Sequence, residues 1–523
     1  MRRFVDLYLA MDATTKTNEK VAAMSYYFSV APPADSAWAL SLLMGRRPRV
    51  PVRRGLLRQW CLEVSGLSEW LFDECYGAVG DLSETLALLI PVGEPPDRAE
   101  QSLAWWMDCI LGLVGHEEAV QREHILAAWE RLDPEERFVF HKLLGGSFRV
   151  GVSRDLVIRA LSQATSLATD VLAQRLMGDW KPSASFYEAL TSTEPEMEGG
   201  LSRPYPFCLS HPLTVEVEEL GDRAEWQAEW KWDGIRAQLI RRGTENFLWS
   251  RGEDLIHEAF PEVAALADLL ADGTVVDGEI LAWRDGRPLP FAELQRRINR
   301  KTVGKKLLSE VPCTLVVFDV LEVECKDWRR RPLAERRLKL ETLGLPLSPI
   351  VQAATWDDLR AERERPRGMM AEGLMLKKLG SDYATGRKRG AWWKWKVSPF
   401  TVDAVLIYAQ RGTGKRASLY TDYTFGVWQD DVLVPIAKAY SGLDDDEIQR
   451  VDSFVRRNSL EKFGPVRTVK PELVFELAFE GIQRSDRHKS GIAVRFPRIL
   501  RWRQDKTPDQ ADTLDGVKGL LGG

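Results

Sequence analysis

The chain has 523 residues, of which 44% are apolar and 28% charged, with a formal net charge of −5. That length exceeds what a single hydrophobic core serves and predicts roughly three or four units, while the composition excludes wholesale disorder. Net charge decides nothing about nucleic acid, because binding depends on where charges sit, and here residues 1–200 carry −8, leaving +3 for the remainder.

The opening MRRFVDLYLAMDATTK is basic at its start, but Asp6 interrupts an apolar run too short for a signal peptide. No long uncharged span follows, so a cytoplasmic protein without membrane contact is expected. Residues up to about 190 read as helices. HEEAVQREHILAAWERL places apolar residues at three- and four-residue spacing, and Asp133-Pro134-Glu135-Glu136 has the form of a helix start with proline in the first turn. TSTEPEMEGGLSRPYP, residues 191–206, is rich in Pro, Gly and acids, lacks periodicity and reads as a linker. From residue 207 short apolar or alternating runs (GTVVDGEILAW, TLVVFDVLEV, EGLMLKKL, AWWKWKV) alternate with helical stretches such as LAERRLKLETL, the pattern of a mixed α/β domain. After about residue 400, VDAVLIYAQ, TDYTFGVW, VLVPIAKAY and LVFELAFEGI are separated by turn residues, as in a small, mostly antiparallel barrel. The expected fold is therefore multidomain: an all-α domain over 1–200, an α+β domain over 201–398 and a β-barrel over 399–523.

Cys61, Cys75, Cys109, Cys208, Cys313 and Cys325 are scattered without CxxC pairs. This argues against a zinc ribbon or a disulfide framework and for reduced, buried thiols. Two basic patches stand out late in the chain: residues 387–416 hold eight Lys/Arg against one acid, and 481–506 hold eight against two.

Several short segments could carry chemistry. In WKWK the strand period puts Lys394 and Lys396 on one face, roughly 7 Å apart, with Trp393 and Trp395 on the other. Two neighbouring ammonium groups repel unless an anion lies between them, and a phosphate is the natural partner. In EWKWDGIR, Lys231 and Asp233 likewise share a face. With an ordinary pKa of about 10.4, only about one lysine in a few thousand is neutral at pH 7, so a nucleophilic lysine needs nearby cations or a metal to favour the amine. Asp277 and Glu279 in VVDGEI and Glu372 in AEGLML could hold such a metal, since Mg²⁺ takes one or two carboxylates and leaves room for phosphate oxygens.

Taken in order, KWDGIR at 231, SRGED at 250, DGE at 277, FDV at 318, EGLMLK at 372, WKWK at 393 and RFPRILRWRQDK at 495 closely resemble the nucleotidyltransferase motifs of ATP-dependent DNA ligases. GGSFRVGVSRDLVIRAL at 145–161 resembles the N-terminal DNA-binding domain of the three-domain members, less specifically. The resemblance implies a helical DNA-binding domain, an ATP-grasp-like ligase core and a C-terminal OB-fold. It also implies ATP and Mg²⁺, with Mn²⁺ as an alternative, and nicked double-stranded DNA as partner of a monomer that closes around it.

Residue by residue, it makes Lys231 the nucleophile that forms lysyl-AMP, Glu229 the adenine-contacting acid and Phe318 the aromatic stacked on the base. Arg236, Arg251 and Glu279 match ribose and phosphate contacts; Asp233, Glu279 and Glu372 would place the metal; Lys394 and Lys396 would hold the α-phosphate. A further arginine falls at Arg387 or Arg389, with Arg389 favoured. Arg495 and Lys506 would orient the pyrophosphate leaving group, the other arginines of that motif facing solvent or DNA.

RGTGKRAS at 411–418 hints at a phosphate loop, but Ala409 stands where its first glycine belongs and Arg416 follows Lys415, so a barrel hairpin is expected. LQRRINRK at 294–301 reads as a solvated basic helix face. RNA ligases and capping enzymes share the lysine motif, but about 190 helical residues ahead of it and the long RFPR motif favour a DNA ligase. The lack of a four-cysteine zinc module disfavours an NAD-dependent one. An inert DNA-binding module is the rival outside the enzymes.

Overall fold

The structure, a computed structural model, describes residues 1–46, 52–93, 100–145, 148, 150–193, 201–298, 300, 302–365, 370–386, 388–412 and 416–521. It divides into two compact units: Met1–Val5, Arg47–Phe148 and Ser398–Gly523 form one, Asp6–Arg46 and Arg149–Val397 the other. Among the described residues, twelve α-helices and no strand lie between Arg2 and Thr191. The helix at Pro134–Gly145 starts as its sequence predicts, with Glu136 N–H donating to the Asp133 carboxylate at 2.8 Å. Of the expected linker, residues 194–200 lie outside the described residues, and its end is not loose: Tyr205 is buried, its hydroxyl donating to Glu322 at 2.6 Å.

Strands of four or more residues are numbered here in chain order. In the second unit these are β1 (Trp226–Trp232), β2 (Ile235–Arg242), β3 (Glu245–Ser250), β4 (Thr274–Arg284), β5 (Cys313–Val323), β6 (Ala371–Lys378) and β7 (Trp392–Lys396). They form two antiparallel sheets, β7–β6–β1 and β3–β2–β4–β5, joined directly by the Asp233-Gly234 turn between β1 and β2. A Cβ at Gly234 would stand 2.3 Å from Ile280 O and 2.8 Å from Glu279 Cγ, so the turn crosses β4 at a distance only glycine permits. Where the sheets meet, Trp232, Leu281, Val316 and Ala371 share an apolar cluster. Opposite charges pin the helix Leu333–Leu340 to β5, because Arg336 grips Asp319 at 2.7 and 3.0 Å with both side chains fully buried.

The first unit carries β8 (Phe400–Arg411), β9 (Tyr420–Gln429), β10 (Val432–Ala439), β11 (Ser459–Phe463), β12 (Val466–Val469), β13 (Val474–Phe479), β14 (Gly481–Arg484), β15 (Ile492–Arg495) and β16 (Arg498–Trp502). β10–β9–β8–β12–β11, with β13 between β8 and β16, make a curled seven-stranded antiparallel sheet around a core that includes Leu406, Phe425, Phe475 and Leu477. Val451 and Val455 at helical spacing seat the helix Asp445–Arg457 on that core, and a reciprocal Asp444–Glu447 capping box starts it. This is the expected OB-like architecture. The 411–418 segment joins antiparallel β8 and β9 as a hairpin should, its residues 413–415 lying outside the described residues.

Two expectations need correction. Arg297 is no solvated helix cation: it is fully buried, donating to Ala259 O and to Glu262 and lying 4.9 Å over the Phe260 ring, while Asn299 and Lys301 are outside the described residues. All six thiols are free, but only Cys61, Cys208 and Cys313 are buried; Cys75 and Cys109 are half-buried and Cys325 is exposed. No helix of the described residues is long and apolar enough to cross a membrane.

Candidate active site

The expected alternation in β7 holds, and it builds the floor of a cavity. Trp392, Lys394 and Lys396 share one face of the strand and line the cavity, whereas Trp393 and Trp395 pack into the apolar cluster behind. Register extends that face across the sheet: Gln227, Lys377 and Trp392 stand in one row, and Glu229, Met375 and Lys394 in the next. Lys231 follows at an irregularity where the β1–β6 register slips between Trp230 and Trp232. Such slips re-aim a side chain. Here Lys231 Nζ donates to Glu372 Oε2 at 2.5 Å, and Lys396 Nζ lies 3.3 Å from the same oxygen. Gly373, at φ +133°, lets β6 come this close to β7, because a Cβ there would stand 2.4 Å from Trp395 O.

Beside Lys231 the structure thus places both a carboxylate, Glu372, and a second cation, Lys396, on the same oxygen. The two lysines hold Glu372 below its ordinary pKa although burial pushes it up.

The second sheet supplies the wall. Phe318 stands at a β-bulge between β4 and β5, and its ring lies 4.2 Å from Lys377 Nζ. Glu229 is buried, accepting from Lys377 Nζ at 2.9 Å and from Gln227 Nε2 at 2.6 Å on one oxygen. Arg236 and Glu279 are cross-strand partners. Arg236 is held in place by Asp277, which takes two of its nitrogens at 3.2 and 2.7 Å, and by Cys208 O at 2.6 Å. Burial opposes its charge, yet Asp277 raises its pKa on balance. Asp277, a candidate metal ligand by sequence, is fully buried and also accepts from Tyr383 OH at 2.6 Å, so it anchors Arg236.

Glu279 accepts no hydrogen bond among the described residues. Burial pushes its carboxyl up to about 7, with Lys231, Arg236 and Arg251 pulling it down and Asp277 adding to the rise. Arg251 is exposed at the rim, and Asp233 lines the cavity from the turn. The space amounts to about 460 Å³ and is lined by six Lys/Arg against three Asp/Glu, an excess that suits a polyanion.

Four sequence-predicted candidates are not shown as part of this set. Arg389 is exposed and does not line the cavity, and Arg387 lies outside the described residues. Arg495 and Lys506 belong to the first unit, where Arg495 lies 5.1 Å from the Phe496 ring and Lys506 Nζ donates to Asp403 at 2.6 Å. The neighbouring cations of that motif are ion-paired too: Arg498 with Glu480, Arg501 with Glu476, and Arg503 with Asp403 and Asp505.

Family profiles cover the chain in three blocks: "DNA ligase N terminus" over residues 1–162, "ATP dependent DNA ligase domain" over 209–396 and "ATP dependent DNA ligase C terminal region" over 416–506. A "Probable DNA ligase" of Koribacter versatilis is 32% identical over 98% of this chain and 95% of its own length. The chain belongs to the ATP-dependent DNA ligase family. "DNA ligase 1" of Korarchaeum cryptofilum agrees, at 31% identity over 99% of this chain and 98% of its own. A solved structure named "Pmar-Lig_PreS3" shares the fold at a TM-score of 0.61, with 16% identity over 95% of this chain and 99% of that one.

Sequence reasoning about this ligase missed Lys377, although EGLMLK contains it. A strand period counted from Met375 puts it on the cavity face, and that signal could have found it. Gln227 and Tyr383 carried no signal, since each matters only through a partner distant in sequence. Among the described residues no group of three or more His, Cys, Asp or Glu is placed to hold a metal, so Asp233, Glu279 and Glu372 do not converge as one cluster. Glu279 nonetheless fits a hard cation: it is half-buried and unpaired among the described residues, and coordination would relieve the cost of its burial.

Proposed function

We propose that this ligase seals nicks in duplex DNA with ATP, through a lysyl-AMP intermediate on Lys231. The observation that carries the reading is Lys231 itself, set at a strand irregularity on the floor of a cavity rich in cations and beside a second lysine that shares its carboxylate partner.

The ion pair with Glu372 has to open before Lys231 can act, and an entering triphosphate offers Lys396 and Lys394 a replacement anion. Neutral Nζ then attacks the α-phosphorus: a P–N bond forms, the bridging P–O bond breaks, pyrophosphate departs and Nζ gives up a proton. An oxygen of the 5′-phosphate at the nick next attacks that phosphorus, breaking the P–N bond and returning the lysine. Finally the 3′-hydroxyl attacks the 5′-phosphorus, forming the phosphodiester and releasing AMP. Positioning and charge neutralisation dominate such transfers.

In this reading Glu229 contacts adenine and Phe318 stacks on it; Arg251 and Glu279 meet ribose or phosphate, with Arg236 fixed beside them by Asp277. Mg²⁺ or Mn²⁺ would be held at Glu279, the carboxylate left unpaired among the described residues of the cavity, and would supply neutralisation of the phosphate charges; Asp233 and Glu372, assigned to the metal by the family resemblance, do not form one cluster with it. The family resemblance assigns Arg389 a ribose or phosphate contact and Arg495 and Lys506 the pyrophosphate, although none of the three lines the cavity. The helical DNA-binding part, the adenylyltransferase part and the barrel are taken as 1–200, 201–398 and 399–523, in a cytoplasmic monomer.

The test is covalent labelling of protein first stripped with pyrophosphate. Acid-labile label from α-labelled ATP but not GTP, lost in Lys231→Ala, supports the reading; no label from stripped protein refutes it. Affinity for nicked duplex should fall steeply with salt and be indifferent to sequence, as backbone binding requires.

A further inference from the structure

The turn that carries Arg251 into the cavity wall is pinned from the helical part of the same unit. Residues 250–254 close on themselves: Ser250 N–H donates to Asp254 O at 2.9 Å, Glu253 N–H to Ser250 O at 3.0 Å and Asp254 N–H to the Ser250 hydroxyl at 3.2 Å. Glu253 sits in this turn at φ +66°, a left-handed backbone that residues with a Cβ enter only at a cost, so its surroundings must hold it there.

The Glu253 carboxylate, 12% exposed, is shared by two guanidiniums, Arg46 at 3.2 Å on one oxygen and Arg154 on the other. Arg46 is itself fixed, donating to Gly178 O at 2.7 Å and Trp180 O at 3.3 Å and lying 4.3 Å over the Trp180 ring. Arg154 also reaches Met177 Sδ at 3.2 Å. Burial and the neighbouring Arg46 push the Arg154 guanidinium down to about 10, as expected of two like charges that depend on one carboxylate. None of these three side chains lines the nucleotide cavity, yet Arg251 and Gly252, just before Glu253, do.

We infer that Glu253 is a positioning residue: by taking Arg46 and Arg154 on its carboxylate it holds the 250–254 turn, and with it Arg251, in the wall of the ATP cavity. Docking of the helical segments thereby sets the affinity for ATP. The inference rests on the cavity being the ATP site. A positioning group displaced by about 1 Å can cost roughly a hundredfold, so even a partial release of the turn should be measurable.

The experiment is self-adenylylation of the full chain across ATP concentrations, for wild type, Glu253→Gln, Arg154→Met, their double variant and the charge-exchanged pair Glu253→Arg/Arg154→Glu. Each single variant should raise the KM for ATP roughly tenfold, the size of a contact coupling, with kcat held within about twofold. The double variant should be no worse than either single one, and the charge-exchanged pair should recover most of the loss. An unmoved KM, effects that multiply in the double variant, or a loss confined to kcat and thermal stability each overturns the inference. If Glu253→Gln does not fold, the charge-exchanged pair, which keeps the same three charges, decides alone. Wild-type protein that takes no Lys231-dependent label would instead sink the ATP-site reading, a result distinct from intact labelling with an unmoved KM.

Discussion

Lys377→Met removes one partner of an ion pair whose side chains are each only 2% exposed. Glu229 would keep Gln227 at 2.6 Å as its sole partner among the described residues, and the contacts of Nζ with the Phe318 and Trp392 rings, at 4.2 and 4.5 Å, would vanish as well. Breaking a buried pair from one side costs about 3–5 kcal/mol, because a buried charge is left uncompensated. Methionine fills much of the same volume and so adds little to that cost. Each kcal/mol moves Tm by about 2–4 °C in units of 150–250 residues, and this unit is somewhat larger, so a fall of roughly 6–15 °C is expected. The assay is thermal unfolding followed by the fluorescence of the chain's 19 tryptophans. Glu229→Gln/Lys377→Met removes both charges and should recover more than half of the loss. A Lys377→Met protein melting within about 2 °C of wild type would mean that the pair is not desolvated as its geometry implies, and the reasoning would fail.

The carboxyl of Glu279 is raised from 4.5 to about 7 in the folded protein. The folded state therefore keeps a proton that the unfolded chain releases, so this contribution to stability is full below pH 4.5 and lost as pH rises through 7. Glu279→Gln should stabilise the ligand-free protein by up to about 3 kcal/mol above pH 8 and leave it unchanged below pH 4.5, measured by urea unfolding across pH; a pH-independent difference would refute the shift. Mg²⁺ competes with that proton, so metal affinity should rise with pH through about 7 in wild type and lose this rise in Glu279→Gln, read by calorimetric titration. Gly234→Ala drives a Cβ against Ile280 O and Glu279 Cγ. It should cost about 1–3 kcal/mol by overpacking and reduce ATP labelling by roughly a hundredfold, and near-normal labelling would show that the two sheets can part without harm.

Local patterns were the legible part of this protein. Helical spacing in residues 116–132 and the Asp133 cap both recur in the structure, as does the alternation that puts Lys394 and Lys396 on one face. The order of the motifs identified the family. What could not be read were pairings between distant segments: Lys231 with Glu372, Glu229 with Lys377, Arg236 with Asp277 and Tyr383. Each partner is an ordinary charged or polar residue whose neighbour is set by register and by which sheet its strand joins. For the same reason Asp277 looked like a metal ligand, since DGE spells two carboxylates and only the fold distinguishes the one saturated by Arg236 from the one left unpaired among the described residues.

The Asp233-Gly234 turn leaves two residues of chain between the strand bearing Lys231 and the strand whose neighbour bears Glu279. In mechanical terms this is a flexure rather than a hinge with play. The span from nucleophile to carboxylate can lengthen only if one sheet shears along the other, which means sliding Trp232 across Leu281, Val316 and Ala371. Selection on turnover would then act less on the charged residues, whose chemistry is fixed, than on the volumes of those four apolar side chains, which set how stiffly the two halves of the cavity are sprung.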